Sequence, residues 1–318
     1  MSFVIAAVAA ATLVPLIARI GSRLGLVDHP GELKIHARPV PLTGGPAVVL
    51  AVLLGMGLTG HGEPWIAAAT CLALGGGMVD DARELPPWVR LVVQAAAGAL
   101  LVAGGLRLEP LGALGGPALV LATVACCNAV NMIDGQDGLA GGLGVAAALG
   151  LAGVLATFGR SAVLHLAVAG ALVGFVIWNR PPARVFLGDG GAYAVGVLLA
   201  ASASLVSADG WHGLLAAGAC LGVFAYELVS SIVRRLVSAS PAIRGDRDHS
   251  YDRLASRLGS RARSTLVMFA LGAIASLVGV AVDRVGSVAA LALVATVALV
   301  TALLDVRLLP VSAVKGDA

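Results

Sequence analysis

Apolar residues in this 318-residue chain come in long unbroken runs. They show neither the short alternation of a half-buried strand nor the single stripe of a surface helix. Runs of roughly 17 to 25 apolar residues are long enough to cross a bilayer as helices. They predict spans near 3–20, 43–60, 64–79, 88–104, 117–133, 139–158, 161–178, 190–207, 213–234, 264–282 and 286–305. Several are short or interrupted by glycine, as at Gly75, Gly76 and Gly77 in the third. The expected fold is all-α and polytopic, with eleven spans, or ten where one proves to be a broken helix. No linker divides the chain and no repeat recurs, so residues 1–318 read as one integral-membrane domain, with 234–263 as a large basic loop within it.

Composition agrees. The chain is 58% hydrophobic and 12% charged, against about 25% charged for soluble domains, and its mean hydropathy is +0.95. Too little polar surface exists to clothe a water-soluble globule, which excludes a cytosolic enzyme, a disordered chain and a nucleic-acid-binding domain. The four cysteines (Cys71, Cys126, Cys127, Cys220) lie inside apolar runs without ligand-like spacing, so they read as small core hydrophobes rather than disulfides or zinc ligands. The first run carries no basic residue before Arg19, the pattern of a retained anchor rather than a cleaved signal.

Charge then orients the spans, because cytoplasmic loops hold the excess of Lys and Arg. With the N-terminus outside and the C-terminus cytoplasmic, 18 of the 21 basic residues fall inside, leaving Arg107, Arg160 and Arg284 outside. Trp65, Trp88, Trp178 and Trp211 fall at span ends, where an amphipathic ring favours the headgroup level.

The acidic residues carry the chemistry. Asp80 and Asp81, Asp134 and Asp137, and Asp189 all fall at the inner ends of spans, in GGMVDDARELPPWVR, NAVNMIDGQDGLAGG and VFLGDGGAYAVG. Each alone could be a cap or turn residue, since Asp-Gly is good turn chemistry. Five together on one face repel one another unless a cation or basic groups compensate. A divalent metal and the basic loop 234–263 are the natural counter-charges. Mg²⁺ takes oxygen ligands, typically one or two carboxylates with substrate phosphates and water; Asp189 with Asn131 or Asn128 would supply such a partial cage, and Mn²⁺ is the alternative ion.

These segments resemble, in order and over nearly the whole chain, the polyprenyl-phosphate N-acetylhexosamine-1-phosphate transferases. GLVDHPGELKIHARPVPLTGG (25–45) is similar to that family's first inner loop, GGMVDDARELPPWVRLVVQ (76–94) to its paired-aspartate motif, and NAVNMIDGQDGLAGG (128–142) to its Asn and Asp-Gly motif. VFLGDGGAYAVG (185–196) is similar to its Gly-Asp motif and RRLVSASPAIRGDRDHSYDRL (234–254) to its basic loop. The resemblance implies Mg²⁺-dependent transfer of a sugar-1-phosphate from a UDP-sugar to a membrane polyprenyl phosphate at the cytoplasmic face of the cell membrane, releasing UMP. Eleven spans with the N-terminus outside agree with the branch that transfers GlcNAc-1-phosphate, and a homodimer is compatible with the resemblance.

By the same resemblance, Asp189 would ligate the metal beside Asn131, and Asp137 would face the uracil. Arg247 and His249 would hold the sugar phosphates, and Asp80 and Asp81 would flank the attacking phosphate. Arg90, Asn128 and Asp134 would contact substrate, and His36 of the first loop would touch the lipid phosphate. The attacking phosphate has a second pKa near 6 and is already largely dianionic at neutral pH. An aspartate of ordinary pKa about 3.9 is a poor base for it, so the aspartate pair is expected to orient phosphate and metal rather than abstract a proton.

Three departures from the family pattern bear on sugar specificity. His249-Ser250-Tyr251-Asp252 stands in place of a His-x-His-His cluster, Arg90 in place of a Lys, and Glu227 where relatives often have Asp. Glu227 reads either as part of the site or as a helix-end carboxylate partnered by Arg234 or Arg235. His61, His165 and His212 read as surface or packing residues, and Ser230, Ser231 and Ser238 have no base at readable spacing. Two alternatives stand beside the main reading. The phospho-MurNAc-pentapeptide branch is disfavoured by the missing Thr-Met-Gly-Gly segment and triple-His motif. A secondary transporter would place isolated acids near span centres within repeats.

Overall fold

A computed structural model describes residues 1–30, 38–237 and 249–282. Its elements are α1 (Ser2–Arg23), a minimal strand pair β1 (Val27–Asp28) and β2 (Val40–Pro41), α2 (Gly44–Gly57), α3 (Pro64–Arg83), α4 (Pro87–Ala103), and, after a 3₁₀ turn at Glu109–Leu114, α5 (Gly115–Ile133). There follow α6 (Leu139–Thr157), α7 (Val163–Asn179), α8 (Gly188–Ser207), α9 (Gly210–Cys220), α10 (Gly222–Val237), α11 (Ser250–Leu258) and α12 (Arg261–Val282).

By length and apolar composition, five of these segments can each cross a membrane, and the bent pair α9 and α10 makes a sixth. The protein is thus a helical membrane protein. Helices stand at ten of the eleven expected spans, and the eleventh, 286–305, lies outside the described residues. Some are shorter than expected: α2 has 14 residues, about 21 Å of helix against a hydrocarbon core of about 30 Å.

Packing follows the rules of a bilayer rather than of water. Along α1 the small residues Ala6, Ala10, Val14 and Ala18 face inward, while Val4, Val8, Leu16 and Ile20 point out. Lipid is as apolar as leucine, so close backbone approach between small residues drives helix association. The partner is α7, where a methyl group at Gly170 would meet the Phe3 carbonyl oxygen at 2.1 Å and one at Gly174 the Ala7 carbonyl oxygen at 2.4 Å. At the centre lies α8, buried nearly all round, as a helix without a polar stripe must be. It packs on α3, α5, α2, α9 and α6.

The helix break falls in a different span from the glycine run. The Gly75–Gly77 stretch does not break its helix, for α3 runs unbroken from Pro64 to Arg83. The break comes at Leu221 instead, where α9 and α10 meet at 68° just before Gly222, glycine being a usual site of a sharp kink. Beside the helices, Val27 pairs with Pro41 and Asp28 with Val40 in an antiparallel register, a two-residue pairing that leaves the fold all-α in class. Within the basic loop the chain forms α11, while 238–248 lies outside the described residues.

Candidate active site

The helix ends that carry the aspartates meet. The C-terminal end of α3, the turn between α5 and α6, the turn between α7 and α8, and the starts of α8, α11 and α12 surround a cleft of about 740 Å³. Its wall includes Asp81, Asn131, Asp134, Asp137, Asp189 and His249 from among the expected site residues, and Asp28, Gln136, Asn179, Tyr251, Asp252 and Arg261, none of which was expected to act in the site.

Asp81 joins two helices. Its Oδ1 accepts the Asp189 N–H at 2.9 Å and its Oδ2 the Gly190 N–H at 3.2 Å. The first amides of a helix have no partner within it and carry the positive end of its dipole, so a carboxylate from α3 caps α8. Close contact permits this: a methyl group at Gly77 would lie 2.5 Å from Gly190 Cα. Gly188, at φ +75, takes the left-handed turn that enters the helix. Asp189 therefore sits in the first turn of α8, opening on the cleft.

Asp134 ends α5. Enclosure by protein pushes its carboxyl well above the usual carboxylate range, with the Asp189, Asp81 and Asp137 carboxylates adding to the shift. Asp137 Oδ2 accepts the Ala183 N–H at 2.9 Å. Buried Asn179 straps the same two turns together, its Oδ1 accepting the Gly138 N–H and its Nδ2 donating to the Val185 carbonyl, both at 2.9 Å. The signal for Asn179 was in the sequence, a lone amide closing an apolar run before Arg-Pro-Pro. Nothing in spacing alone told it from a helix end.

His249 caps the start of α11 and stacks on Tyr251 with ring centroids 5.3 Å apart. Tyr251 in turn donates to the Met132 carbonyl at 3.0 Å, which ties α11 to the Asp134 turn. His249 Nδ1 lies 2.9 Å from Glu227 Oε1, and Arg234 reaches the same carboxylate at 3.4 Å. Arg234 therefore partners Glu227, and the same carboxylate contacts His249.

Three expected site residues do not line the cleft. Asp80 is 2% exposed. It accepts from the Leu85 N–H at 2.8 Å and the Tyr193 hydroxyl at 2.7 Å, and it pairs with Arg90 Nε at 2.9 Å. A carboxylate so fully engaged stands behind the wall of the cleft. Arg90 is held away from the cleft by the same pairing, and it also donates to the Leu85 carbonyl at 2.9 Å. Asn128 turns to α4, its Nδ2 donating to Gln94 Oε1 at 2.7 Å and to the Val124 carbonyl at 2.8 Å. Of the two asparagines weighed for the metal, Asn131, nearer the helix end, lines the cleft. His36 and Arg247 lie outside the described residues.

Fold and site together define a polytopic membrane enzyme whose polar chemistry is concentrated where several helix ends meet. Residues 64–208 match the model of glycosyl transferase family 4, the stretch from α3 to α8 that supplies every aspartate just described except Asp28 and Asp252. The chain is 28% identical over 300 residues to the probable undecaprenyl-phosphate N-acetylglucosaminyl 1-phosphate transferase of Bacillus subtilis, covering 87% of this chain and 83% of the relative. It is 30% identical over 248 residues to the undecaprenyl-phosphate alpha-N-acetylglucosaminyl 1-phosphate transferase of Thermotoga maritima, covering 77% and 78%. It is 32% identical over 262 residues to the phospho-N-acetylmuramoyl-pentapeptide-transferase of a Picosynechococcus species, covering 74% and 70%. The chain belongs to glycosyl transferase family 4.

Proposed function

We propose that the protein transfers a sugar-1-phosphate, GlcNAc-1-phosphate in the first instance, from a UDP-sugar to polyprenyl phosphate, giving polyprenyl-diphospho-sugar and UMP. The observation that carries this reading is the convergence of Asp81, Asp134, Asp189 and Asn131 on one cleft that also receives His249 and Arg261. Attack of a phosphate on a diphosphate sets two anions against each other, so catalysis rests on charge neutralisation and in-line placement.

The residues fit a divalent cation. Asp189 and Asn131 bring oxygen donors to one wall of the cleft, beside Asp81 and Asp134. That is the open, oxygen-rich arrangement Mg²⁺ takes when substrate phosphates and water complete its shell. Asp189 and Asn131 would hold it, and bound there it would neutralise charge on the diphosphate. Asp81 keeps Asp189 in place through the α8 amides. Asp137, braced against the 180–187 turn, would face the uracil, and His249 and Arg261 would meet the phosphates. The lipid phosphate, with a second pKa near 6, needs no base to attack.

The proposed orientation sets the N-terminus outside and the cleft at the cytoplasmic face of the cell membrane. Support comes from the other end of α8, 20 residues long, about 30 Å from Asp189. There Ser204 donates to the Arg107 carbonyl at 2.8 Å and Arg160 pairs with Asp209 at 2.9 Å, so two of the three basic residues counted outside gather opposite the cleft.

The test is to incubate the purified protein with polyprenyl phosphate, Mg²⁺ and a panel of UDP-sugars and measure UMP. Release with UDP-GlcNAc is expected. The likeness to the Picosynechococcus relative favours one second reading, and UMP release with UDP-MurNAc-pentapeptide alone would establish it. No release with any donor would overturn both.

A further inference from the structure

Buried Asp80 and Tyr193 and half-buried Arg90 form a polar cluster that takes no part in the transfer as proposed. Tyr193 lies four residues after Asp189 on α8, so the two side chains leave one face of the helix a turn apart. It is 1% exposed in the most enclosed helix among the described residues, where a phenol needs a hydrogen-bond partner; its hydroxyl donates to Asp80 Oδ2 at 2.7 Å. Asp80 is the neighbour of Asp81, which holds the Asp189 and Gly190 amides.

The paired aspartates of α3 thus grip α8 at two levels, Asp81 at its first amides and Asp80 one turn deeper. A buried carboxylate is tolerated only when paired and hydrogen-bonded. Arg90 from α4 supplies the charge, and the Leu85 N–H fills the remaining oxygen at 2.8 Å.

We propose that Tyr193 and Arg90 are positioning residues for the transfer: by holding Asp80 they set the depth and rotation of the first turn of α8, and with it the placement of the Asp189 carboxylate in the cleft. The inference rests on the function proposed above. It gives the two aspartates of the pair different tasks, and it accounts for an arginine at position 90, whose Nε serves both Asp80 and the Leu85 carbonyl.

The test uses the full-length enzyme in lipid nanodiscs, comparing wild type, Tyr193→Phe, Asp80→Asn and the double variant for kcat, for KM toward UDP-GlcNAc and polyprenyl phosphate, and for the thermal midpoint. Tyr193→Phe keeps the ring and removes only the hydroxyl. The expected result is a fall in kcat of about tenfold or more with both KM values within about twofold, the mark of lost alignment rather than lost binding. In the Asp80→Asn background the same change is expected to cost almost nothing further, because residues that act through one contact are non-additive.

Wild-type kcat in Tyr193→Phe, or losses that simply multiply in the double variant, would overturn the proposal. Should Tyr193→Phe not fold, Arg90→Lys carries the same cycle with the same two criteria. A wild type inactive with every donor would overturn the proposed function and this inference with it, whereas an active wild type with an indifferent Tyr193→Phe would overturn the inference alone.

Discussion

At the scale of single residues, side chains of one chemical type have been given different work by their surroundings. Asp81 and Asp80 are adjacent in the chain, yet one faces the cleft and the other is sealed behind it, because neighbouring residues on a helix point about 100° apart. Asp189, open to the cleft at a helix start, is the side chain on which the proposed reaction depends most directly. Asp189→Asn is expected to lower UMP release by about 10² to 10³, the usual loss when one electrostatic element of a preorganised site is removed, with little change in thermal midpoint. Glu227 is a second case. With its carboxylate on His249 Nδ1 and Arg234, Glu227→Gln is expected to lower kcat about tenfold, whereas Leu236→Ala, at a position 77% exposed on the outside of the same helix, leaves it unchanged. Steady-state kinetics on the two purified variants check this.

At the scale of elements, glycines decide which helices can touch. Gly75 and Gly77 stand two residues apart on α3 and look alike in the sequence. A methyl group at Gly75 would meet nothing within 4 Å, while one at Gly77 would lie 2.5 Å from the Gly190 backbone. Gly75→Ala is therefore expected to be neutral or to stabilise by about 0.5 to 1 kcal/mol through lower chain entropy. Gly77→Ala must push α3 from α8, costing about 1 to 3 kcal/mol, and it would displace Asp81 from the α8 amides. Thermal unfolding and UMP release measured on both variants separate the two positions: loss of activity in Gly77→Ala alone is the expected result, and equal behaviour would contradict the packing argument. The bend between α9 and α10 belongs to the same scale. It carries Glu227 to the start of α11, which a straight helix over 213–234 would not do.

At the scale of the whole molecule, the scarcity of charge makes the site conspicuous. With 12% charged residues, a cluster of aspartates at helix ends cannot be surface decoration, and the basic residues beside it set the proposed orientation. Cysteine introduced at Arg107 or Arg160 is expected to react with a membrane-impermeant maleimide in intact cells, and cysteine at Arg180 or Arg184 only after lysis; the reverse pattern would invert the topology.

The sequence by itself determined the solvent, the helical class, the approximate spans and the residues worth watching, because transfer of apolar runs into lipid is a local property summed along the chain. It also set the order of the acidic motifs, and Asp81, Asn131, Asp134, Asp137, Asp189 and His249 do meet. Only the tertiary structure decided which member of each pair faces the cleft, since Asp80 against Asp81 and Asn128 against Asn131 depend on helix rotation and on partners far away in the chain. Tyr193 and Asn179 became legible only there, each read from a contact with a segment 113 or 41 residues distant. Burial and hydrogen bonding are settled between helices, and no spacing within one helix encodes them.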